Sequence, residues 1–455
     1  MTGLVFLAAV LGAPVVLGLP IAAHPTLGHL SLPARVSLAW AAGSLILTMV
    51  LTSLSAIGLR WTLWWILLAC IAALALSSRL IRQTGAEKPE AQKRKSLRLS
   101  FGALCFTLIA GGGLFAFVFG MATSADLSYF WGVKAAHFAL ERGIDFELLR
   151  QPYMIHLHPN YPPFWPVLLA WGAMTARSLP WLVVPSLTWV CLTTVAVIIF
   201  SVLEAGLGAR AASVVTCLWY VVLSTMMVTS FSGGNADGPL VLFLSIALVV
   251  ILTEQEDGPR HLRWLAAVAL AGAVFAKSEG SIAAALIVIG TVTREIVWRR
   301  SEIFRQTVFL IMPAAATAVL WVVVRIVHDI PLTDPIRETV LHISFDHIGL
   351  ILRICLRLLT PTVVAVGWLV PLVSILIIGR GSFARSLPGV VTASGILVFS
   401  VVYYLHAAGD PRELVVWTFP RLIQPAMSAW ILGLGVATFS VFGDSEVVPD
   451  SSAIP

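Results

Sequence analysis

Apolar residues run through this chain in blocks. Stretches near 3–23, 36–58, 61–78, 101–121, 180–203, 211–230, 238–253, 264–276, 281–293, 306–327, 361–379, 387–405 and 421–441 are apolar and almost free of charge. A bilayer core of about 30 Å is crossed by about 20 residues of α-helix. The pattern therefore predicts an all-α polytopic membrane protein with about 13 transmembrane helices. No long period-2 alternation argues for a membrane barrel. Blocks 264–276 and 281–293 are short for a crossing, so they either run into the intervening loop or form a broken pair. The first block, Leu4 to Ala23, lacks the basic flank of a cleaved leader and reads as a retained helix.

The polar breaks set an orientation. Segment 79–98 carries Arg79, Arg82, Lys88, Lys93, Arg94, Lys95 and Arg98 against Glu87 and Glu90. Arg294, Arg299, Arg300 and Arg305 form a second basic loop, Arg380 with Arg385 a third, and Arg260 with Arg263 a fourth. Basic loops stay in the cytoplasm, so 122–179, 231–237, 277–280, 328–360 and 406–420 are expected outside. This parity holds only if 161–176, which contains Pro162, Pro163 and Pro166, does not cross. It is read as a helix in or dipping into the outer interface, where Trp165 and Trp171 fit. Segment 346–359 reads as a second interfacial helix, with Arg353 and Arg357 on one face.

The resulting plan has N-terminal transmembrane helices over 1–78 and a basic cytoplasmic loop over 79–100. A core follows over 101–360 with its first outer loop at 122–179, then C-terminal transmembrane helices over 361–441 and a polar, disordered tail over 442–455.

Composition supports this class. Of 455 residues, 58% are hydrophobic and 11% charged, with a mean hydropathy of +0.93; soluble domains carry about 25% charged residues. The net charge of +6 comes from the short basic loops, so it does not point to nucleic acid. Cys70, Cys105, Cys191, Cys217 and Cys355 all lie in apolar segments, without paired or metal-ligand spacing.

Polar chemistry concentrates in two stretches, Ser124-Ala-Asp-Leu-Ser-Tyr-Phe-Trp131 and His156-Leu-His-Pro-Asn-Tyr-Pro-Pro163. Asp126 either caps the next helix, lies in solvent, or serves as a general base for an acceptor hydroxyl or amine. Tyr129, Phe130 and Trp131 offer a wall for sugars or prenyl chains, or an interfacial anchor. Lys134 follows two turns later and either meets an anionic leaving group or solvates its helix. His156 and His158, if extended, share a side at a spacing that also suits a metal, with His137 or Asp145 completing the set; hydrogen bonding to sugar or phosphate is the stronger reading.

Further groups fall on the same expected side. Asp237 ends the glycine-rich turn Ser232-Gly-Gly-Asn-Ala-Asp. Lys277 and Glu279 form a charged pair at a helix end, which reads otherwise as a surface ion pair. Arg421 and Gln424 stand one turn apart in an apolar setting, where an arginine is costly unless it is paired, binds phosphate, or snorkels.

The order of these motifs resembles the GT-C superfamily of membrane glycosyltransferases, in particular bacterial relatives of protein O-mannosyltransferases and aminoarabinose transferases. The resemblance rests on the Asp after a spanning helix, Tyr129 to Ala135, His158 to Pro163, Gly234 to Asp237, Lys277 to Gly280 and Arg421 to Pro425, and covers roughly 100–440. It implies inverting sugar transfer from a polyprenyl-phosphate donor to a lipid, glycan or protein acceptor, at the outer face of the plasma (inner) membrane. Asp126 matches the family's first-loop catalytic acid. A second adjacent acid, frequent in the family, is replaced here by Ala125 and Leu127, which favours a mechanism without cofactor or divalent metal. Under this reading Arg421, Lys277 or Arg353 would steady the leaving phosphate. The rival class is a transporter or flippase of a lipid-linked or polar solute, which should carry mid-membrane charges on broken, repeated helices.

Overall fold

The computed structural model describes residues 1–84, 111, 124–255, 262–332, 347–375, 378, 380–405 and 411–443. Nearly all of these are helical and none of the described residues is in a strand. Most of the basic segment 79–98, nearly all of block 101–121, and the tail after 443 lie outside the described residues.

The helices in chain order are α1 (Thr2–Ala22), α2 (Leu32–Ala56), α3 (Leu63–Thr84), α4 (Gly132–Glu141), α5 (Phe146–Arg150) and α6 (Phe164–Ala176). They continue as α7 (Ser186–Leu207), α8 (Ala209–Thr229), α9 (Asp237–Leu252), α10 (Arg263–Ala276), α11 (Ser278–Val297) and α12 (Ile303–Val327). The last are α13 (Ile348–Leu358), α14 (Thr362–Ser374), α15 (Arg380–Leu405), α16 (Pro411–Leu422) and α17 (Gln424–Gly443).

Eight helical stretches among the described residues are long and apolar enough to cross a bilayer. Large apolar side chains such as Val214, Phe304, Met312 and Val398 are exposed along them, as lipid contact requires. The chain is thus an all-α polytopic membrane protein. The count falls below the expected 13 partly because α9 has 16 residues, α10 has 14 and α14 has 13, each short of a full core crossing.

Close backbone contact joins several of these helices. A Cβ on Gly43 of α2 would lie 1.7 Å from the Pro14 carbonyl oxygen of α1, so only glycine permits this crossing. Helices α10 and α11 are separated by Lys277 alone, in an extended conformation (φ −161°, ψ 151°). Block 281–293 therefore does extend into the intervening loop, becoming the 20-residue α11. The return is tight: a Cβ on Gly280 would meet the Ala273 carbonyl at 1.9 Å.

The bundle has two distinct ends. At one, Trp61 N donates to Arg142 O at 2.5 Å, Ile144 N to Ser55 Oγ at 2.9 Å, Trp165 Nε1 to Gly234 O at 2.6 Å and Trp321 Nε1 to Asn160 O at 3.1 Å. At the other, Trp264 Nε1 reaches Thr26 Oγ1 at 3.3 Å and its ring lies 4.9 Å from His24.

The two flanks of 161–176 lie at the same end of the bundle. Before α6, Tyr161 lies 5.8 Å from Trp131; after it, the Trp181 ring lies against Gly132 and Val184 against Gly234. The 13 residues of α6 give about 20 Å of helix, too little for a crossing. Nearly all of α6 is buried, so it dips among other helices and does not float at a surface.

The far end holds a buried charge network. Arg263 Nε donates to Glu254 Oε1 at 2.8 Å and its Nη2 to Glu295 Oε1 at 3.0 Å, while Arg294 Nη2 reaches Glu254 Oε2 at 2.5 Å. Arg263 and Arg294 are 2% and 0% exposed. The charge pattern along the chain counts both among the basic cytoplasmic loops. They are instead neutralised by Glu254 and Glu295, acids that only helix packing brings within reach.

Candidate active site

The site begins with a change of helical pitch. The turn Leu127–Trp131 is π-helical, a rare local winding that recurs at functional sites. Ser124 caps it, its Oγ accepting from Leu127 N at 3.0 Å. Asp126 makes no capping hydrogen bond and already has helical dihedrals (φ −63°, ψ −38°). The capping role considered for Asp126 therefore belongs to Ser124, and the carboxylate is directed elsewhere.

It meets Arg421. Arg421 Nη2 lies 2.6 Å from Asp126 Oδ2, and Arg421 Nε donates to Asp237 Oδ2 at 2.8 Å. Lys277 Nζ donates to the other Asp237 oxygen at 2.9 Å and lies 3.3 Å from Glu279 Oε1. Tyr161 OH donates to the same Glu279 oxygen at 3.4 Å. The result is an alternating row, Asp126–Arg421–Asp237–Lys277–Glu279, supplied by the π turn, the ends of α9, α10 and α11, and α16. Asp237 is 2% exposed and sits between two cations, which its place in the first turn of α9 also favours. The Lys277–Glu279 pair is accordingly not a surface ion pair, since Lys277 is 5% exposed.

This row borders a cavity of about 320 Å³ lined by Asp126, Phe130, Trp131, His158, Asn160, Tyr161, Lys277, Glu279 and Arg421. Ile282, Phe399, Tyr403, Leu414 and Leu422 give it an apolar side. His158 stacks on Tyr161 at 4.9 Å, and Phe130 meets the His158 ring edge-on at 5.0 Å. Trp131 Nε1, Asn160 Oδ1 and Glu279 Oε2 are buried without a hydrogen-bond partner among the described residues. Buried polar atoms are rarely left unpaired. Three on one cavity wall is the pattern of a site that completes its hydrogen bonds with a polar ligand.

Several residues expected in the site lie elsewhere. Tyr129 is 66% exposed and does not line the cavity. Phe130 and Trp131 of the same π turn do line it. Lys134 lies behind the wall, with Nζ 4.4 Å from the Trp131 ring centroid and donating to His158 O at 3.4 Å. Burial pushes its amine down to about 7.

Gln424 is buried off the cavity, where its amide donates to Ser230 Oγ at 2.9 Å and Ser232 Oγ at 3.2 Å. Arg353 is exposed on α13, outside the lining. The His156 side chain lies outside the described residues.

The geometry proposed for the His156/His158 pair also changes. Residues 152–157 form 3-10 turns and His158 is left-handed (φ 48°), so the segment is not extended. Among the described residues, no group of three or more His, Cys, Asp or Glu is placed to hold a metal ion. Asp145 instead caps α5, accepting from Leu148 N at 2.9 Å, with His137 3.6 Å away.

Asn160, Phe399, Tyr403 and Thr418 line the cavity without having been singled out. The Tyr403-Tyr404 pair near the site end of block 387–405 was the available clue. No family model, curated protein or solved structure matches this chain.

Proposed function

We propose that this chain is a membrane glycosyltransferase of the GT-C type, moving a sugar from a polyprenyl-phosphate donor to a cell-envelope acceptor. The observation that carries the reading is the cavity itself. A carboxylate, a stacked aromatic wall and two cations border one space at one end of a lipid-embedded bundle. The basic loops assign the opposite end to the cytoplasm, so the cavity faces the periplasm or cell exterior. About 13 crossings, including those at 101–121, complete this plan.

In this reading an acceptor O–H or N–H gives its proton to Asp126 and attacks the anomeric carbon. The bond from that carbon to the phosphate oxygen breaks, and the electron pair leaves on the phosphate. Direct displacement inverts the anomeric centre. A phosphate leaving group takes charge without strong acid, so one base and nearby cations suffice. Arg421 commits Nε and Nη2 to carboxylates, which leaves its other Nη for the phosphate. Trp131 Nε1, Asn160 Oδ1 and Glu279 Oε2 suit sugar hydroxyls, and the apolar side of the cavity suits the first prenyl units. The transporter reading has less support, because the charged groups described here lie at helix ends.

The test uses membrane vesicles holding the full chain, supplied with radiolabelled hexosyl and pentosyl polyprenyl phosphates. Asp126→Asn should lower transfer by about 10²–10⁴-fold at unchanged folded yield. Near-normal turnover in that variant would falsify the assignment of Asp126 as base. Donor-independent movement of an unmodified solute across the vesicle would favour transport.

A further inference from the structure

Arg353 was expected at the cavity and is not there, which leaves α13 without a role. This helix bends by 95° against the apolar helix that follows it. Helix α14 packs along α8 and α17, so the bend sets α13 across the bundle, the orientation of a helix in the membrane plane. Its sequence, Ile-Gly-Leu-Ile-Leu-Arg-Ile-Cys-Leu-Arg-Leu, contains two arginines and no acid. Ile351 and Cys355 are buried against the bundle, whereas Leu352, Leu356, Arg353 and Arg357 are exposed. The two leucines and the two arginines each stand at i and i+4, so they form adjacent strips along the open face.

An in-plane helix of this kind places its apolar strip in the acyl boundary and its basic strip at headgroup depth. Guanidinium forks at that depth match phosphodiester oxygens, which accept two parallel hydrogen bonds. Among the described residues neither arginine has an ion pair. We propose that α13 is a docking face for the headgroup phosphates of anionic phospholipids in the surrounding leaflet, with Arg353 and Arg357 as the binding pair. The face does not belong to the cavity, and this inference does not depend on sugar transfer. It does touch the site mechanically: α13 packs on α16, the helix that carries Thr418 and Arg421.

The test places a bimane label on Leu352→Cys in a full chain whose native cysteines are replaced. The protein is reconstituted in phosphatidylcholine vesicles with increasing brominated phosphatidylglycerol or brominated phosphatidylcholine. Phosphatidylglycerol should quench at a lower mole fraction than phosphatidylcholine. In Arg353→Gln/Arg357→Gln that preference should fall by roughly tenfold, while Arg353→Lys/Arg357→Lys keeps part of it and the far-end variant Arg210→Gln keeps all. Equal quenching by the two lipids in the parent, or an undiminished preference in the double Gln variant, overturns the proposal. Loss of the preference on adding about 10 mM inorganic phosphate at constant ionic strength would identify a free-phosphate site and overturn the headgroup assignment.

Discussion

Arg421 holds Asp126 through Nη2 at 2.6 Å while its Nε holds Asp237 at 2.8 Å. One guanidinium thus joins the carboxylate of the first loop to that of α9. Lysine is a point charge and cannot span two acids in fixed geometry. Arg421→Lys is expected to keep the fold but reduce sugar transfer by about 10²-fold, the scale of one lost electrostatic contact to a transition state. Steady-state transfer rates in vesicles, with folded yield by size exclusion, check this. A variant with full activity would show that the bridge has no part in turnover.

Asp237 is the only acid that touches both cations in the described row. Asp237→Asn removes the buried acid between Lys277 and Arg421 and leaves each cation only its outer partner, Glu279 or Asp126. Removing one partner of a buried pair costs about 3–5 kcal/mol. A clear fall in thermal unfolding temperature is expected, partly restored in Asp237→Asn/Lys277→Gln. Equal stability of the single and double variants would mean that the two residues are not coupled.

The far-end network predicts a loss of stability at a distance from the cavity. Arg263→Met leaves Glu254 and Glu295, 7% and 1% exposed, to share the remaining buried cation Arg294, and about 3–5 kcal/mol of destabilisation is expected. Arg299, which is exposed in the same basic loop, should tolerate Gln with a change of about 0.5 kcal/mol or less. Thermal unfolding in one detergent compares them directly, and equal effects would contradict the buried geometry.

Lys134 gives a pH signature. Its amine is lowered to about 7 by burial, so folding disfavours the charged form. The penalty is fully present below the folded value and fades as pH rises toward the unfolded value of about 10.4. Lys134→Met should therefore exceed the parent in unfolding temperature near pH 6, with the gap closing near pH 10. A gap independent of pH would assign Lys134 a purely steric role.

The membrane class was legible because it depends on local composition: runs of apolar residues and punctuating arginines survive without knowledge of packing. A short helix at 161–176 was legible too, since Pro162, Pro163 and Pro166 break up the apolar stretch. What could not be read were relations set by winding and by helix neighbours. Of the expected wall, Phe130 and Trp131 line the cavity while Tyr129 is exposed, and no periodicity rule anticipates the π turn that carries them. The partnership of Arg263 with Glu254 and Glu295 needs three helix ends to meet. Arg353 looked like a phosphate ligand for the cavity because its chemistry was right, but the 95° bend after α13 sets it on an outer face.

Helices α9, α10 and α11 carry Asp237, Lys277 and Glu279 at one end and Glu254, Arg263, Arg294 and Glu295 at the other. A slide of any one by a single turn, about 5.4 Å, would break ion pairs at both ends together. The trio behaves as a strut of fixed length. Any motion that opens the cavity falls to the elements around this trio, among them the π turn beside Asp126 and α16 with Arg421.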